Sequence, residues 1–77
     1  MTGTAVAEQK VALTINGARR EIPETWSLAD LLVSLELDPR LVVVEHNGAI
    51  LRDRDSFPGV RLARNDILEL VHFVGGG

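Results

Sequence analysis

The residues with the clearest chemical meaning are Gly75, Gly76 and Gly77, which follow directly on the strand-forming residues 67–74. Glycine has no side chain to pack and loses the most backbone freedom when ordered, so this ending adds nothing to the stability of a fold. It does fit a groove too narrow for any other residue. We therefore predict a flexible tail, residues 75–77, that presents the carboxylate of Gly77 to another protein.

A terminal carboxylate is a poor electrophile because its charge is delocalised and its oxygen is a bad leaving group. Coupling to AMP gives a mixed anhydride that sulfur or nitrogen can attack. If a persulfide attacks and its sulfur is retained, the product is a thiocarboxylate at Gly77. The alternative is a frayed end that happens to be glycine, and composition alone favours neither interpretation.

Other reactive groups are scarce in the sequence. The absence of cysteine excludes disulfides, thiolate metal sites and cysteine nucleophiles. His46 and His72 are the only imidazoles, and no further ligands stand near them at a metal-binding spacing. The sequence around three aspartates is rich in turn-forming residues, and we expect these side chains to stabilise turns or lie in solvent: Asp53, Asp55 and Asp66. We expect no metal site, no bound cofactor and no catalysis by this chain alone.

Composition limits the kind of protein and its partners. The 77 residues, 45% apolar and 25% charged, are typical of one small globular domain. The net charge of −3 argues against nucleic-acid binding, which needs clustered basic residues. No apolar run is long enough to span a bilayer, and residues 1–9 resemble neither a secretion signal nor an ordered element. We expect a flexible N-terminal arm at residues 1–9, no membrane partner and a cytoplasmic location.

Two hairpins are predicted around two Asn-Gly pairs, because both central residues of a type I′ turn need positive φ. The first joins an alternating strand from Lys10 to a polar edge strand at residues 18–22, with Asn16-Gly17 between them. The second joins a strand at residues 41–46 to a short return strand at residues 49–51, with Asn47-Gly48 between them.

One helix is predicted at residues 27–35, where the leucines follow the i, i+3, i+4, i+7 spacing of a single apolar stripe: Leu28, Leu31, Leu32 and Leu35. Ser27 fits the N-cap and Asp30 its capping-box partner, with Trp26 and Leu31 placed for a hydrophobic staple. Residues 52–65 form an irregular connection anchored by apolar side chains. In the last strand, we expect Leu68 and Leu70 to face the helix.

One helix with one apolar face must be covered by one sheet, which predicts a two-layer α+β domain at residues 10–74. The first and last strands alternate most clearly, so we place them side by side in the centre of a mixed sheet of four to five strands. Because the helix crosses over between them, they run parallel. This is the β-grasp arrangement of ubiquitin-like proteins.

The residues from Lys10 to Gly77 resemble the ThiS family, the sulfur carriers of thiamine biosynthesis. The resemblance is carried by four stretches: residues 11–17 (VALTING), the helix at 27–35, residues 44–48 (VEHNG) and the ending at 68–77 (LELVHFVGGG). The ending is the specific part, since Asn-Gly turns and leucine-rich helices are common.

The resemblance implies a sulfur carrier that is acted on rather than an enzyme. In that family an E1-like adenylating enzyme of the ThiF type, using ATP and magnesium, adenylates the terminal glycine, here Gly77. A sulfur donor enzyme then supplies the sulfur, and the thiocarboxylate delivers it to thiazole synthase of the ThiG type. We also expect the chain to be a monomer when free.

Alternatives remain open at this point. The small subunit of molybdopterin synthase (the MoaD type) shares the fold and the Gly-Gly ending, and carriers for cysteine synthesis or for protein modification are related possibilities. From a different class, the chain is a ubiquitin-like interaction module whose tail is never activated. For a carrier, the exposed residues of the last strand are the predicted partner dock: Glu69, Val71 and Phe73.

Overall fold

Residues 9–73 are described by the computed structural model, and they contain five strands and one α-helix. The predicted tail at residues 75–77 and all but the last residue of the predicted arm lie outside these described residues. Gln9 is described, and its carbonyl accepts a hydrogen bond from the N–H of Glu24 at 2.9 Å. The elements are β1 (Lys10–Ile15), β2 (Ala18–Pro23), α1 (Leu28–Ser34), β3 (Val42–His46), β4 (Ala49–Leu51) and β5 (Ile67–His72).

Both Asn-Gly hairpins form as predicted. Asn16 and Gly17 have φ of 49° and 80°, and Asn47 and Gly48 have φ of 51° and 89°. Asparagine tolerates this left-handed region better than most residues, and glycine enters it without steric cost. The two turns therefore fix the register of β1 against β2 and of β3 against β4.

The helix begins with the predicted capping box. The hydroxyl of Ser27 accepts from the N–H of Asp30 at 3.2 Å, and the carboxylate of Asp30 accepts from the N–H of Ser27 at 2.9 Å. The helix ends where Glu36 takes a φ of 58°, and the N–H of Leu37 reaches back to the carbonyl of Leu32. This is the Schellman arrangement that usually employs glycine.

The sheet order is β2-β1-β5-β3-β4, so the last strand is the central one and the first lies beside it. β1 and β5 are parallel, whereas β3 and β5 are antiparallel. The mixed sheet, its one covering helix and the parallel central pair confirm the predicted two-layer α+β arrangement.

The core lies between α1 and one face of the sheet, and its buried members are almost all aliphatic. They are Leu13, Ile15, Ile22, Leu28, Leu31, Leu32, Val42, Val44, Phe57, Leu62, Leu68 and Leu70. Leu35, the last residue of the predicted stripe, is half-buried and packs against this core.

The connection at residues 52–65 is more ordered than predicted. It contains a 3₁₀ helix, Arg54–Gly59, in which Phe57 is buried in the core. The N–H of Leu28, at the start of α1, donates to the carbonyl of Val60. A second 3₁₀ turn, Pro39–Leu41, means that β3 begins at Val42 rather than at the predicted residue 41. Proline at the first position of that turn explains its start, because the missing N–H has no partner to lose there.

Candidate functional site

Strand β5 is the element that leads to the predicted glycine tail, and both of its edges are engaged. Thr14 and Ile15 of β1 pair with Ile67 and Leu68 on one side. On the other side the whole of β3 pairs with it, from His46 opposite Leu68 to Val42 opposite His72. A central strand with two neighbours is the part of a sheet least exposed to local opening.

The side chain of Asn16 bonds to β5 beyond the point where β1 ends, and so continues the pairing between β1 and β5. Its Oδ1 accepts from the N–H of Leu70 at 2.7 Å, and its Nδ2 donates to the carbonyl of Leu70 at 3.2 Å. The backbone N–H of Asn16 meanwhile donates to the carbonyl of Leu68. The side-chain amide thus replaces the peptide group that a longer β1 would have offered.

Asn47, in the second Asn-Gly turn, does the same at the start of β5. Its backbone N–H donates to the carbonyl of Ile67, and its Oδ1 accepts from the N–H of Ile67, both at 2.8 Å. The two turn asparagines therefore hold the central strand from opposite sides.

Asp66 ties the start of β5 to three other groups. Its Oδ2 accepts from His46 Nε2 and from the N–H of Ala63, both at 2.8 Å, and its Oδ1 accepts from Asn47 Nδ2 at 3.1 Å. Burial raises the pKa of Asp66, but the hydrogen bonds from His46, Ala63 and Asn47 together outweigh it and leave that pKa below its usual value. Asp66 is thus a structural anchor.

At its carboxyl end, β5 is bound to the sheet on one side only. The N–H of Phe73 donates to the carbonyl of Leu41 at 2.7 Å, which continues the β3 edge by one step. On the other side β1 has already ended, and a groove of about 420 Å³ borders Leu70 and His72, with Leu35 and Leu37 across it. A partner can therefore approach the strand just before the predicted tail begins.

The two faces of β5 differ as predicted. Leu68 and Leu70 are buried against α1, whereas Glu69, Val71 and Phe73 lie exposed on the face that no helix covers. Most of the exposed large apolar side chains of the described residues lie on or beside this open face. Of the seven exposed large hydrophobic side chains in residues 9–73, only Val33 lies on the helix, and the others lie on the open face or at its border: Leu41, Val43, Ile50, Ile67, Val71 and Phe73.

The structure adds residues that the sequence did not single out. Val43 stands opposite Val71, and Glu45 stands opposite Glu69 with Ile50 on its other side. The pairing register between the strands determines which residues are neighbours here, and no local pattern in the sequence predicts that register. The Asn-Gly motifs were a usable signal for the two asparagines, since an Asn side chain that tolerates positive φ can also bond to nearby backbone.

Within residues 9–73, no three histidine or acidic side chains come together as a metal site. Over the same residues, no helix has the length and apolar character needed to cross a membrane. The predicted sulfur-bearing residue Gly77 and its neighbours Gly75 and Gly76 lie outside the described part of the chain.

Comparison with known proteins gives consistent matches. The model of the ThiS family matches residues 13–77. The sulfur carrier protein ThiS of Bacillus subtilis (strain 168) is 41% identical over 54 residues, which are 70% of this chain and 80% of that protein. The crystal structure of a thiamine biosynthesis protein (ThiS) from Geobacter metallireducens has a TM-score of 0.72 and 31% identity, covering 87% of this chain and 100% of that one.

A larger protein also matches. A thiazole synthase of Magnetococcus marinus is 36% identical over 63 residues, which are 82% of this chain but only 19% of that protein. One segment of that synthase is therefore similar to most of the present domain.

We predict that Asn16→Gly loosens β5 without disturbing the turn, because glycine keeps the positive φ but removes both side-chain bonds to Leu70. The expected loss is about 1–2 kcal/mol of unfolding free energy, with faster hydrogen exchange of the Leu70 amide. Denaturant unfolding and amide exchange measure the two effects. Asn65→Gly is the matched control, because Asn65 also has positive φ (68°) while, among residues 9–73, its side chain accepts only from exposed Arg19. Equal effects of the two substitutions would contradict the assigned role.

We predict that Asp66→Asn costs about 2 kcal/mol of unfolding free energy at neutral pH, because its amide nitrogen faces groups that donate. A carboxylate with a lowered folded-state pKa contributes stability that is present above its unfolded value, about 3.9, and is lost as pH falls through the lower folded value. The difference between wild type and variant should therefore shrink below about pH 4. Unfolding curves across pH test this, with exposed Asp55→Asn as the control. A difference that stays constant into acid would refute it.

Proposed function

The chain belongs to the ThiS family, and from this membership we propose that it acts as a sulfur carrier protein in thiamine biosynthesis, with Gly77 carrying the sulfur. The observation that carries the proposal is the extent of the family match, which runs from residue 13 through Gly77 and so includes the three glycines. The 41% identity to a sulfur carrier protein supports the same conclusion.

The proposed chemistry takes place on the carboxylate of Gly77. That carboxylate attacks the α-phosphate of ATP, pyrophosphate leaves, and an acyl adenylate forms. A persulfide sulfur then attacks the acyl carbon and AMP leaves, which gives an acyl disulfide. A second thiol attacks the outer sulfur of this disulfide, forms a new disulfide with it, and releases Gly77 as a thiocarboxylate.

None of these steps uses a catalytic residue of this chain, so the partners must supply them. We propose an E1-like adenylating enzyme of the ThiF type that binds ATP and magnesium, a sulfur donor enzyme, and a thiazole synthase of the ThiG type as the acceptor. The match to a segment of a thiazole synthase supports the last of these. The carrier itself is proposed to be a monomer without a cofactor, acting in the cytoplasm where its ATP-dependent partner works.

The geometry of β5 suits such a carrier. Its backbone is held on both edges as far as Leu70 and by Leu41 at Phe73, so the strand is fixed in the sheet up to Phe73. The open face beside it provides the dock. We propose that Glu69, Val71 and Phe73 contact the partners, because apolar side chains left exposed together on one face are typical of interaction surfaces.

The alternative of a molybdopterin synthase small subunit receives no support from the comparisons, since the matching family is ThiS. The alternative of an interaction module whose tail is never activated differs in a measurable way, because only a carrier gains sulfur.

Incubation with the cognate activating enzyme, ATP and a persulfide donor should raise the intact mass by the difference between one sulfur and one oxygen atom. Deletion of Gly77 should abolish this gain while changing the unfolding free energy by less than about 0.5 kcal/mol. Mass spectrometry and denaturant unfolding measure the two results. Gly59→Ala is the control, because a Cβ there meets no atom within 4 Å and the variant should gain sulfur normally. A competent enzyme that leaves the wild-type mass unchanged would favour the interaction module.

Replacing the apolar dock should weaken binding without unfolding the domain. We expect Val71→Ser with Phe73→Ser to lower affinity for the activating enzyme about tenfold or more, because exposed side chains at an interface contribute mainly to binding. Isothermal titration calorimetry measures the affinity. Val33→Ser is the control: Val33 is an apolar residue even more exposed than Val71 or Phe73, but it lies on the helix. Should the control weaken binding as much as the double variant, the dock is misplaced.

A further inference from the structure

Two carboxylates face each other in the middle of the open sheet face. Glu45 on β3 is directly opposite Glu69 on β5, and both side chains project from the face that no helix covers. Glu69 is exposed and Glu45 is half-buried. Like charges directly opposite each other destabilise an antiparallel pair, so this arrangement opposes the stability of the isolated domain.

Nothing in residues 9–73 compensates for this repulsion. No lysine, arginine or histidine nitrogen of the described chain lies within 4 Å of either carboxylate, and neither carboxylate accepts a hydrogen bond from a described side chain. On the β1 side the chain turns away at Asn16, so β1 offers no cation beside Glu69. The guanidinium of Arg19, on the far wing of the sheet, donates to Asn65 instead.

The surroundings of the pair are apolar. Ile50 flanks Glu45 on β4, Ile67 and Val71 flank Glu69 along β5, and Val43 completes the border; their exposures range from 36% to 54%. A partner that covers this border also removes the two carboxylates from water. Covering them without a counter-charge is unfavourable, whereas a desolvated ion pair with good geometry can be a strong and selective contact.

We propose that this face receives an arginine side chain of the thiazole synthase, held between Glu45 and Glu69 and enclosed by the apolar border. The proposal rests on the sulfur-carrier function proposed above. A guanidinium suits the site because its planar fork of donors can bond to two carboxylates at once, whereas lysine offers a single point charge.

Two observations select this occupant. A second copy of the chain fits poorly, because a two-fold contact through this face would bring four carboxylates together. The thiazole synthase is favoured because a segment similar to this domain occurs within one such synthase, so a segment of this kind and a thiazole synthase share a single polypeptide there. Glu45 and Glu69 are then the residues that determine specificity, while the apolar border supplies contact area.

The test is the affinity of the full chain for the thiazole synthase of the same organism. We expect Glu45→Gln with Glu69→Gln to weaken binding about tenfold and Glu45→Lys with Glu69→Lys to weaken it further. Wild-type affinity should fall as NaCl rises from about 50 to about 500 mM, and the double glutamine variant should show little salt dependence. Its thermal midpoint should equal or exceed that of wild type, because the repulsion has been removed.

Glu21→Gln is the matched control, since Glu21 is an exposed strand glutamate opposite Ala12 on the other wing of the same sheet. It should leave affinity within about twofold of wild type. Unchanged affinity or unchanged salt dependence in the double glutamine variant would overturn the proposal. So would a wild-type chain that fails to bind the synthase, or substitutions that alter only self-association or only binding to the activating enzyme. Sulfur loading of the wild-type chain, measured by mass spectrometry, does not depend on these affinities, so failure here is distinguishable from failure of the carrier function.

Discussion

The structure depends on holding one strand in the centre of a sheet whose two hairpins both turn away from it. The β1–β2 hairpin ends at Asn16-Gly17 and the β3–β4 hairpin at Asn47-Gly48, and each asparagine bonds to β5 where its own strand stops. The turn residue that permits positive φ also supplies an amide that imitates a peptide group. One residue type therefore satisfies the geometry of the turn and the hydrogen bonds of the neighbouring strand. Asp66 reinforces the second of these contacts by bonding to Asn47 and His46.

Because successive side chains of a β-strand point to opposite faces, β5 packs against the core with one face and is exposed on the other. Leu68 and Leu70 are packed under the helix, so the free energy of the core depends on them, whereas Glu69, Val71 and Phe73 are free of that constraint. Side chains on the open face can be selected for binding with little cost to the core. This separation explains how residues 9–73 tolerate six exposed large apolar side chains on or beside one face. It also explains how an unfavourable carboxylate pair persists at the centre of that face.

Much of the fold could be predicted from local pattern, and what could not was non-local. Alternation in residues 11–15, the Asn-Gly pairs and the leucine stripe from Leu28 each determine an element by themselves, and the helix cap follows from Ser27 and Asp30. The parallel pairing of β1 with β5 followed from the crossover. The pairing of Glu45 with Glu69 and the bonds from Asn16 to Leu70 depend on the register between segments distant in sequence, which local pattern does not encode. The 3₁₀ helix at Arg54–Gly59 was missed because its turn-forming residues and Pro58 resemble an irregular loop.

The order of the strands has a consequence for biosynthesis. Of the strands in residues 9–73, β5 is the last to leave the ribosome, yet it is the one that pairs with both hairpins. Until it emerges, the nascent chain contains the segments of both hairpins and of the helix but lacks the strand that joins the two hairpins into one sheet. Closing β1 against β5 then joins segments about fifty residues apart, which makes this a late and comparatively slow event in folding. A chain terminated before β5 would therefore remain unfolded and be accessible to proteases, and cells would not accumulate folded domains that lack β5.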